Sequence, residues 1–425
     1  MSRRAELQNA KRLAAEAQLS ALPLPEGEAG WARDVRAKAR ARLLDAGAPG
    51  RRDEYWKYTD PTALSAPMAL ADPGGEGPAH DPFAGIAAPR VVFANGRLRD
   101  DLSDALGQPG LAVSTLSQTL SQDISMATQV FGLLESHGQE KVDRPLAILN
   151  TATATEGLVI QATGTATQQI SYSDLGSGAS MVRHLIRVET GANLTLLETG
   201  TPSNLVIEVD LADGGIFNHV RVQNAPNEAL ANHMFARLGE GSEFKSFTMT
   251  TDGTLTRNEV VLELTGDDAS GHIAGAVLVQ GDSHVDNTVF VTHGAVNCES
   301  RQVFKNVMAG RAKSIFQGKI YVKEDAQKTD GYQISQAVLL NDGAEFSAKP
   351  ELEIYADDVA CSHGSTTGAL DPAAMFYLRS RGVPKAEAEA MMIAAFADEA
   401  IAEIADEAIA DILRGEVARW MASRA

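Results

Sequence analysis

The sequence has little of what marks secreted, membrane or metal-bound proteins. Its 425 residues include only two cysteines, too few for a disulfide framework or a four-cysteine zinc site. No run of about 18 uncharged apolar residues occurs, so we expect no transmembrane helix. The first twenty residues carry six charged side chains and no apolar run, which predicts no signal peptide. We therefore expect a cytoplasmic chain whose cysteines stay reduced.

Aromatic and basic residues are also scarce. Phe, Tyr and Trp make up 5% of the chain, so the core has to be filled mainly by aliphatic side chains, which favours thin, repeated layers. Lys and Arg number 37 against 56 Asp and Glu, a formal net charge of −19. Binding to phosphates needs clustered basic side chains, so this acidity argues against a nucleic-acid partner.

Common catalytic signatures are missing as well. The pair Gly318-Lys319 is followed by Ile320 and lacks the earlier glycine of a phosphate-binding loop, which predicts that the chain does not hydrolyse ATP alone. The sequence contains no H-E-x-x-H zinc motif, no G-x-S-x-G nucleophile elbow and no G-x-G-x-x-G dinucleotide motif. These absences argue against the common hydrolase, zinc protease and dehydrogenase designs.

The N-terminal part differs in charge from the rest. Residues 1–60 hold 12 basic and 9 acidic residues, whereas the remaining chain is strongly acidic. The spacing of apolar residues in Trp31–Leu44 predicts a helix, and the simplest interpretation of its basic face is solvation. Residues 66–90 contain nine Pro or Gly and predict an irregular linker, and Asn95-Gly96 then predicts a hairpin turn. We assign residues 1–145 to an N-terminal helical region with this linker.

Residues 146–365 have the sequence pattern of an all-β segment. Short runs rich in β-branched residues, such as Leu185–Glu189 and Phe217–Val222, are separated by clusters of turn residues. The turn clusters before Leu194, Ile216 and Phe244 recur at intervals of about 22 to 28 residues, a length that fits one coil of a parallel β-helix. Spacing alone leaves a solenoid and a β-sandwich equally possible.

Residues 366–425 return to a helical pattern. Pro384 suits the first position of a helix, and apolar residues from Ile393 to Ile412 trace one face with acidic residues opposite. No Lys or Arg occurs between Ala386 and Leu413. This acidic amphipathic face either packs on its own protein or docks a basic partner, and the pattern leaves both open.

One local cluster carries chemistry. Cys361 and His363 are two positions apart, which places both side chains on the same face of an extended chain. A thiolate and an imidazole are ligands that suit iron or an iron–sulfur cluster, and a neighbouring histidine can lower the pKa of a thiol. The alternative from the residues alone is an inert, buried Cys361.

A longer stretch of the sequence resembles a known family. Residues 300–382 contain the runs DAQKTDGYQ, DDVACSHGSTTGALD and FYLRSRG, and residues 54–59 read EYWKYT. These runs are similar to the C-terminal signature and the N-terminal W-K-Y-T element of the SufD family, scaffold subunits of iron–sulfur cluster assembly. The related SufB subunits usually lack the Cys-Ser-His-Gly run. Gln333-Ile334-Ser335 departs from the Gln-x-Asn that is frequent in the family, which leaves details of the interface open.

The resemblance implies a fold, partners and site residues. It implies a right-handed parallel β-helix between helical ends, and a complex in which the solenoid meets SufB edge to edge. Cys361 and His363 would offer ligands to a transient cluster or iron at that junction, with none stably bound in the isolated chain. The ATPase SufC would bind the C-terminal region, and the residues that match the family motif there are Phe376, Tyr377, Arg379, Arg381 and Gly382.

Three other interpretations remain at this stage. The chain could be a purely structural solenoid whose motif residues are inert. A carbohydrate-active β-helix enzyme would need aromatic residues along a groove, which this sequence largely lacks. The isolated chain could also form a homodimer through its solenoid edge. Our leading prediction is a non-enzymatic subunit of a SufB–SufC–SufD assembly, with domains at 1–145, 146–365 and 366–425.

Overall fold

The computed structural model describes residues 3–72, 74–139, 142–173, 178–224 and 229–424. The helices within these ranges are α1 (Arg3–Ala21), α2 (Gly30–Ala46), α3 (Leu116–Leu120), α4 (Leu133–His137), α5 (Pro145–Thr153), α6 (Pro372–Ser380), α7 (Lys385–Ile401) and α8 (Glu407–Ala422). None of them is long and apolar enough to cross a membrane.

The strands are distributed along most of the chain. Those that precede residue 200 are β1 (Arg90–Ala94), β2 (Arg97–Leu98), β3 (Leu111–Thr115), β4 (Leu158–Ala162), β5 (Thr165–Ser173), β6 (Met181–Val188) and β7 (Asn193–Thr199). Those that follow are β8 (Asn204–Leu211), β9 (Ile216–Gln223), β10 (Ala229–Leu238), β11 (Glu243–Thr251), β12 (Leu255–Leu264), β13 (Ser270–Val279), β14 (His284–His293), β15 (Glu299–Met308), β16 (Lys313–Val322), β17 (Asp330–Leu339), β18 (Glu345–Ile354) and β19 (Ala360–Gly368).

From β4 onward the chain forms a parallel solenoid. Consecutive strands alternate between two sheets, and from β6 onward each strand pairs in parallel with the strand two places earlier. The first sheet contains the even-numbered strands from β4 to β18 together with β3, and the second contains the odd-numbered strands from β5 to β19 together with β1 and β2. The mainly β class and the parallel β-helix between helical ends, predicted from the resemblance, are confirmed.

The strand register explains the spacing of the turns in the sequence. Phe217, Phe244 and Gly271 occupy equivalent positions of successive coils, 27 residues apart. Near the C-terminal end the coils are slightly longer, because Gly331 and Cys361 are 30 residues apart at the same position. Side chains that point between the sheets therefore stack in columns, and most members of the core cluster are aliphatic, with a few aromatic residues such as Phe217 and Phe244.

The interior also holds a buried polar cluster. The Tyr172 hydroxyl donates to Glu198 Oε1 at 2.5 Å, and His219 Nε2 lies 2.7 Å from Glu198 Oε2. The Leu158 N–H donates to His184 Nδ1 at 3.0 Å, so the proton of the neutral ring is on Nε2, 2.7 Å from the Tyr172 hydroxyl. Burial lowers the pKa of His184 to about 4. Each of these groups has a partner, and the cluster therefore stabilises one packing of the coils.

The N-terminal helices cover the outer face of the first sheet. Glu208, on β8, accepts hydrogen bonds from the N–H groups of Gly132 and Glu135 and lies 2.5 Å from the Arg183 guanidinium. Both members of this ion pair are fully buried. The helix predicted over Trp31–Leu44 is present as α2, but part of its basic face is not solvated: Arg36 is buried against a carboxylate, Glu28.

The first 145 residues also contribute strands to the solenoid. The hairpin predicted at Asn95-Gly96 is present, with φ angles of 51° and 70° in the turn that joins β1 to β2. Strand β1 pairs with β5, and β3 pairs with β4, so this region extends both sheets. In the described part of 66–90 the backbone is irregular until β1 begins, as predicted. The three domain boundaries stay predictions.

The C-terminal helices cover the outer face of the second sheet. Apolar residues of α7 and α8 pack against β11, β13 and β15. The single apolar face that we predicted from Ile393 to Ile412 is interrupted, because the Asp406 side chain accepts hydrogen bonds from the N–H groups of Ala408 and Ile409 and starts a new helix. Acidic residues of α7 and of the turn after it pair with the second sheet: Glu399 of α7 pairs with Lys305, and Glu403 of the turn lies 3.3 Å from Arg301.

Candidate functional site

The last coil of the solenoid is open on its outer side. Strand β18 pairs only with β16, and β19 only with β17, and within the described ranges no further strand pairs with either free edge. Pro350 lies within β18, which suits an edge strand because proline has no N–H to donate to a neighbour. Two parallel edges with unpaired backbone groups are thus presented at one end of the molecule.

Cys361 lies at the inner side of this last coil. It is in register with Gly331 and packs with Ile320 and Leu352 at the end of the core, where it is half-buried. Burial raises the pKa of the Cys361 thiol, and the Asp330 carboxylate acts in the same direction. From the sequence, a neighbouring histidine could have lowered this pKa. In the structure the pKa is raised, because burial outweighs the backbone hydrogen bond at Gly331, which acts in the lowering direction. The isolated thiol is therefore protonated at neutral pH.

His363 is the more accessible member of the pair. Because β19 is extended, His363 follows Cys361 on the same side of the strand, and its ring is exposed at the open end. Its partner in the register is Gln333, which is completely buried. The Gln333 amide donates to the Glu351 carbonyl at 3.2 Å, while its Oε1 accepts no hydrogen bond from the described residues. Ser335, the residue that departs from the family's Gln-x-Asn, is in register with Ser365, two positions along β19 from His363.

The number of ligands at this end is small. In the part of the chain that the structure describes, no group of three or more His, Cys, Asp and Glu side chains lies close enough to hold a metal ion. Cys361 and His363 can therefore supply two ligands at most. An iron–sulfur cluster is usually held by four, so any cluster here requires ligands from a second chain.

The predicted partner-binding residues lie on one exposed helix, α6, and directly after its last residue. Helix α6 follows β19 directly and has no buried residue; Phe376 and Tyr377 are 74% and 57% exposed. The Arg381 guanidinium lies 5.2 Å from the centre of the Tyr377 ring, and Arg379 is exposed beside them. Gly382, with a φ of 89°, ends the helix in a conformation that other residues rarely adopt. An apolar and basic surface is therefore displayed without a partner from the described residues.

The N-terminal element EYWKYT has a structural role that the sequence did not reveal. The Trp56 ring stacks on the Arg257 guanidinium at 4.1 Å, and the Thr59 hydroxyl donates to Asp286 at 2.5 Å. The Tyr55 hydroxyl donates to Glu351 of the edge strand β18 at 3.0 Å. The element therefore packs on the outer face of the first sheet and contacts its free edge strand, β18. Arg257 and Asp286 were not singled out because nothing in their strands indicates that the outer face is buried.

Comparisons with known proteins agree with this architecture. The family described as "SUF system FeS cluster assembly, SufBD core domain" matches residues 170–396. The iron–sulfur cluster assembly protein SufD of Escherichia coli (strain K12) is 30% identical over 379 residues, 84% of this chain and 86% of the relative. A SufBD family protein of Synechocystis is 27% identical, over 83% of each chain. SufD of Bacillus subtilis is 29% identical over 54% of this chain and 55% of its own.

Proposed function

This chain belongs to the SufBD family of iron–sulfur cluster assembly proteins, and from that premise we propose that it is a non-enzymatic scaffold subunit that pairs with SufB and with the ATPase SufC. The observation that supports the pairing with SufB is the open last coil, where β18 and β19 have unpaired outer edges. A second solenoid of the same fold can continue both sheets across this junction through main-chain hydrogen bonds. Such a junction would enclose the side chains of the last coil, including Cys361 and His363.

The ligands that this chain would bring to the junction are His363 and Cys361. The imidazole of His363 is exposed and accessible to iron. The pKa of the Cys361 thiol is raised, so this thiol has to lose its proton when metal binds. Iron or a nascent cluster would be cargo held between the two chains, with the remaining ligands from SufB. The isolated chain is expected to bind neither stably.

Helix α6 is the surface that we assign to SufC. Its exposed Phe376 and Tyr377, with Arg379 and Arg381 beside them, combine aromatic and basic groups of the kind that dominate protein interfaces. Helix α6 contacts α7, which packs on β13 and β15. Movement of a bound ATPase would therefore be transmitted through α7 to the solenoid rather than through a flexible tail.

Replacement of His363 by alanine in the reconstituted SufB–SufC–SufD complex tests the cluster role. We expect normal association of the subunits and a large loss of cluster assembly, read from the absorption spectrum under anaerobic conditions. His137→Ala, at another exposed histidine, is the control and should assemble clusters normally. Undiminished assembly in the H363A complex would contradict the role of His363 and favour a purely structural subunit.

A second experiment tests the assignment of α6. Phe376→Ser should weaken co-purification with SufC, because it removes the most exposed aromatic side chain of the helix. Met391→Ser removes another exposed apolar side chain, on α7, and should leave SufC binding unchanged. Equal effects of the two variants would rule out a specific α6 interface. Sedimentation of the isolated chain shows whether the free edges pair with a second copy when SufB is absent.

A further inference from the structure

A cavity of about 230 Å³ lies away from the open end, between the outer face of the second sheet and the turn that joins α7 to α8. Thr195, Asn218, Lys245 and His272 form one side of it. These four residues occupy the same register position in successive coils, so their side chains form a polar column along the sheet. One wall of the cavity is therefore formed by the stacking of equivalent residues in successive coils.

The column continues along the sheet as a row of basic side chains, and only some of them are paired with a carboxylate. Lys245, His272 and Arg301 are neighbours in the register. Glu403, from the turn after α7, lies 3.6 Å from His272 Nδ1 and 3.3 Å from Arg301 Nε. Lys245 lies one strand beyond the reach of Glu403, and within the described ranges no carboxylate lies within 4.0 Å of its ammonium group.

The other carboxylate of the cavity does not replace this missing partner. Asp406 accepts hydrogen bonds from the N–H groups of Ala408 and Ile409 as the cap of α8. Its charge is therefore committed to the helix terminus. Lys245 is left as a half-buried cation that faces a cavity.

The remaining walls are apolar. Val220, Phe247 and Ala274 line the cavity from the sheet, and Ile404 and Ile409 line it from the helical side. A dry cavity of about 150 Å³ is known to accept benzene, so this volume suits a small ring or a short branched chain. The cavity thus combines one uncompensated positive charge, hydroxyl and amide donors, and a compact apolar surface.

We propose that this cavity binds a small organic monocarboxylate. The carboxylate would pair with the Lys245 ammonium group and accept a hydrogen bond from the Thr195 hydroxyl, and the apolar body would lie against Phe247 and Ile409. A ligand in this position contacts both the sheet and the turn between α7 and α8. Its binding would therefore slow the opening of that turn. This inference does not depend on the proposed partners.

Benzoate is a suitable probe, with benzamide as its neutral isostere. We expect saturable binding of benzoate to the full chain in ligand-observed NMR at constant ionic strength, and much weaker binding of benzamide. Lys245→Met keeps the aliphatic stem and should weaken benzoate binding about 10- to 100-fold, since a hydrogen-bonded charge is lost. Lys245→Arg should retain most of the affinity, and Lys38→Met, at an exposed lysine of α2, should have no effect.

Hydrogen exchange provides an independent readout. Saturating benzoate should slow exchange of the amides around Glu403 and Asp406 in the wild-type chain but not in the K245M variant. Equal binding of benzoate and benzamide, an unchanged affinity in K245M, or no saturation by benzoate would each overturn the proposal. Protection at distant strands without protection of this turn would do the same.

Discussion

A Cβ atom on Gly331 would lie 3.2 Å from Sγ of Cys361 and equally close to Cδ1 of Ile320. The absence of a side chain at Gly331 therefore sets how deeply the Cys361 thiol sits in the last coil. Two residues in neighbouring coils, 30 positions apart in the chain, together determine the exposure of the one cysteine in the candidate site.

Gly331→Ala should push the Cys361 thiol toward the open end. We expect faster reaction with a thiol reagent at fixed pH, because the edge strand β19 can shift by the few tenths of an ångström required. The contact with the buried Ile320 cannot be relieved in this way, so we also expect a loss of stability of about 1 kcal/mol. Gly364→Ala is the matched control, since its new Cβ would meet only an ordinary contact with Ile334 at 3.9 Å. Both variants are compared in a Cys298→Ala background. Slower reaction in the Gly331 variant would contradict this geometry.

The reactivity of Cys361 should rise only at alkaline pH. Burial and Asp330 raise the pKa of the thiol, so the thiolate that reacts is formed above the range of a free cysteine. The rate of alkylation of the Cys298→Ala chain, measured against pH, should have a midpoint above that of a cysteine peptide in the same buffer. A midpoint below that of the peptide would show that a cation, rather than burial, dominates the site.

Acidification should destabilise the solenoid through its buried histidines. Burial lowers the pKa of His184 and of His293 to about 4. In the unfolded chain these groups titrate near 6.5, so between roughly pH 6.5 and 4 the unfolded state binds more protons than the folded state. The free energy of unfolding should therefore decrease as the pH is lowered from about 6.5 to 4, by about 3 kcal/mol for each histidine.

Urea denaturation at a series of pH values measures this slope. His293→Gln should remove a large part of it, because the amide can replace the contact of His293 Nε2 with the Ser300 hydroxyl but cannot take up a proton. His137→Gln, at an exposed position, should leave the slope unchanged. A stability that is constant between pH 7 and pH 5 would show that the buried histidines do not control it.

Loss of Trp56 should destabilise the whole chain. The ring is 4% exposed and covers the buried Arg257 guanidinium, so Trp56→Ala leaves both a cavity and an uncovered cation. We expect a cost of about 3–5 kcal/mol in urea denaturation. Tyr58→Ala, two residues along the same element and half-buried, should cost much less. Equal effects would mean that the segment contributes by general burial and not through Arg257.

Many strands could be predicted because their interior side chains are apolar, whereas their arrangement as a solenoid was predicted from the family resemblance. The run Leu185–Glu189, for example, lies within β6 apart from its last residue. Strands with fewer apolar residues are harder to predict: the buried Gln168 interrupts the apolar alternation of β5, and β18 contains Pro350 and several charges. In a stack of coils, polar side chains are satisfied by the neighbouring coil, and the sequence of one strand does not show this.

The candidate site was predictable in composition but not in geometry. Chemistry and spacing left Cys361 and His363 open as an inert pair, and the family resemblance made them the candidate site; an extended strand is enough to place them on one side. The depth of the thiol depends on Gly331 in the preceding coil. The bracing of the edge strand depends on Tyr55, almost 300 residues from Glu351. Contacts at such separations follow from the register, which local patterns do not specify.

The free edges of β18 and β19 have a consequence for how the last coil folds. The stability of stacked repeats is approximately a sum of terms within each repeat and terms between neighbours, and the last coil has only one neighbour. This coil should fray first, with amide exchange fastest in β19 and slower in each preceding strand of its sheet. If a second chain pairs with this coil, as we propose, it adds the missing neighbour, and association and local ordering of the segment that carries Cys361 and His363 become a single equilibrium.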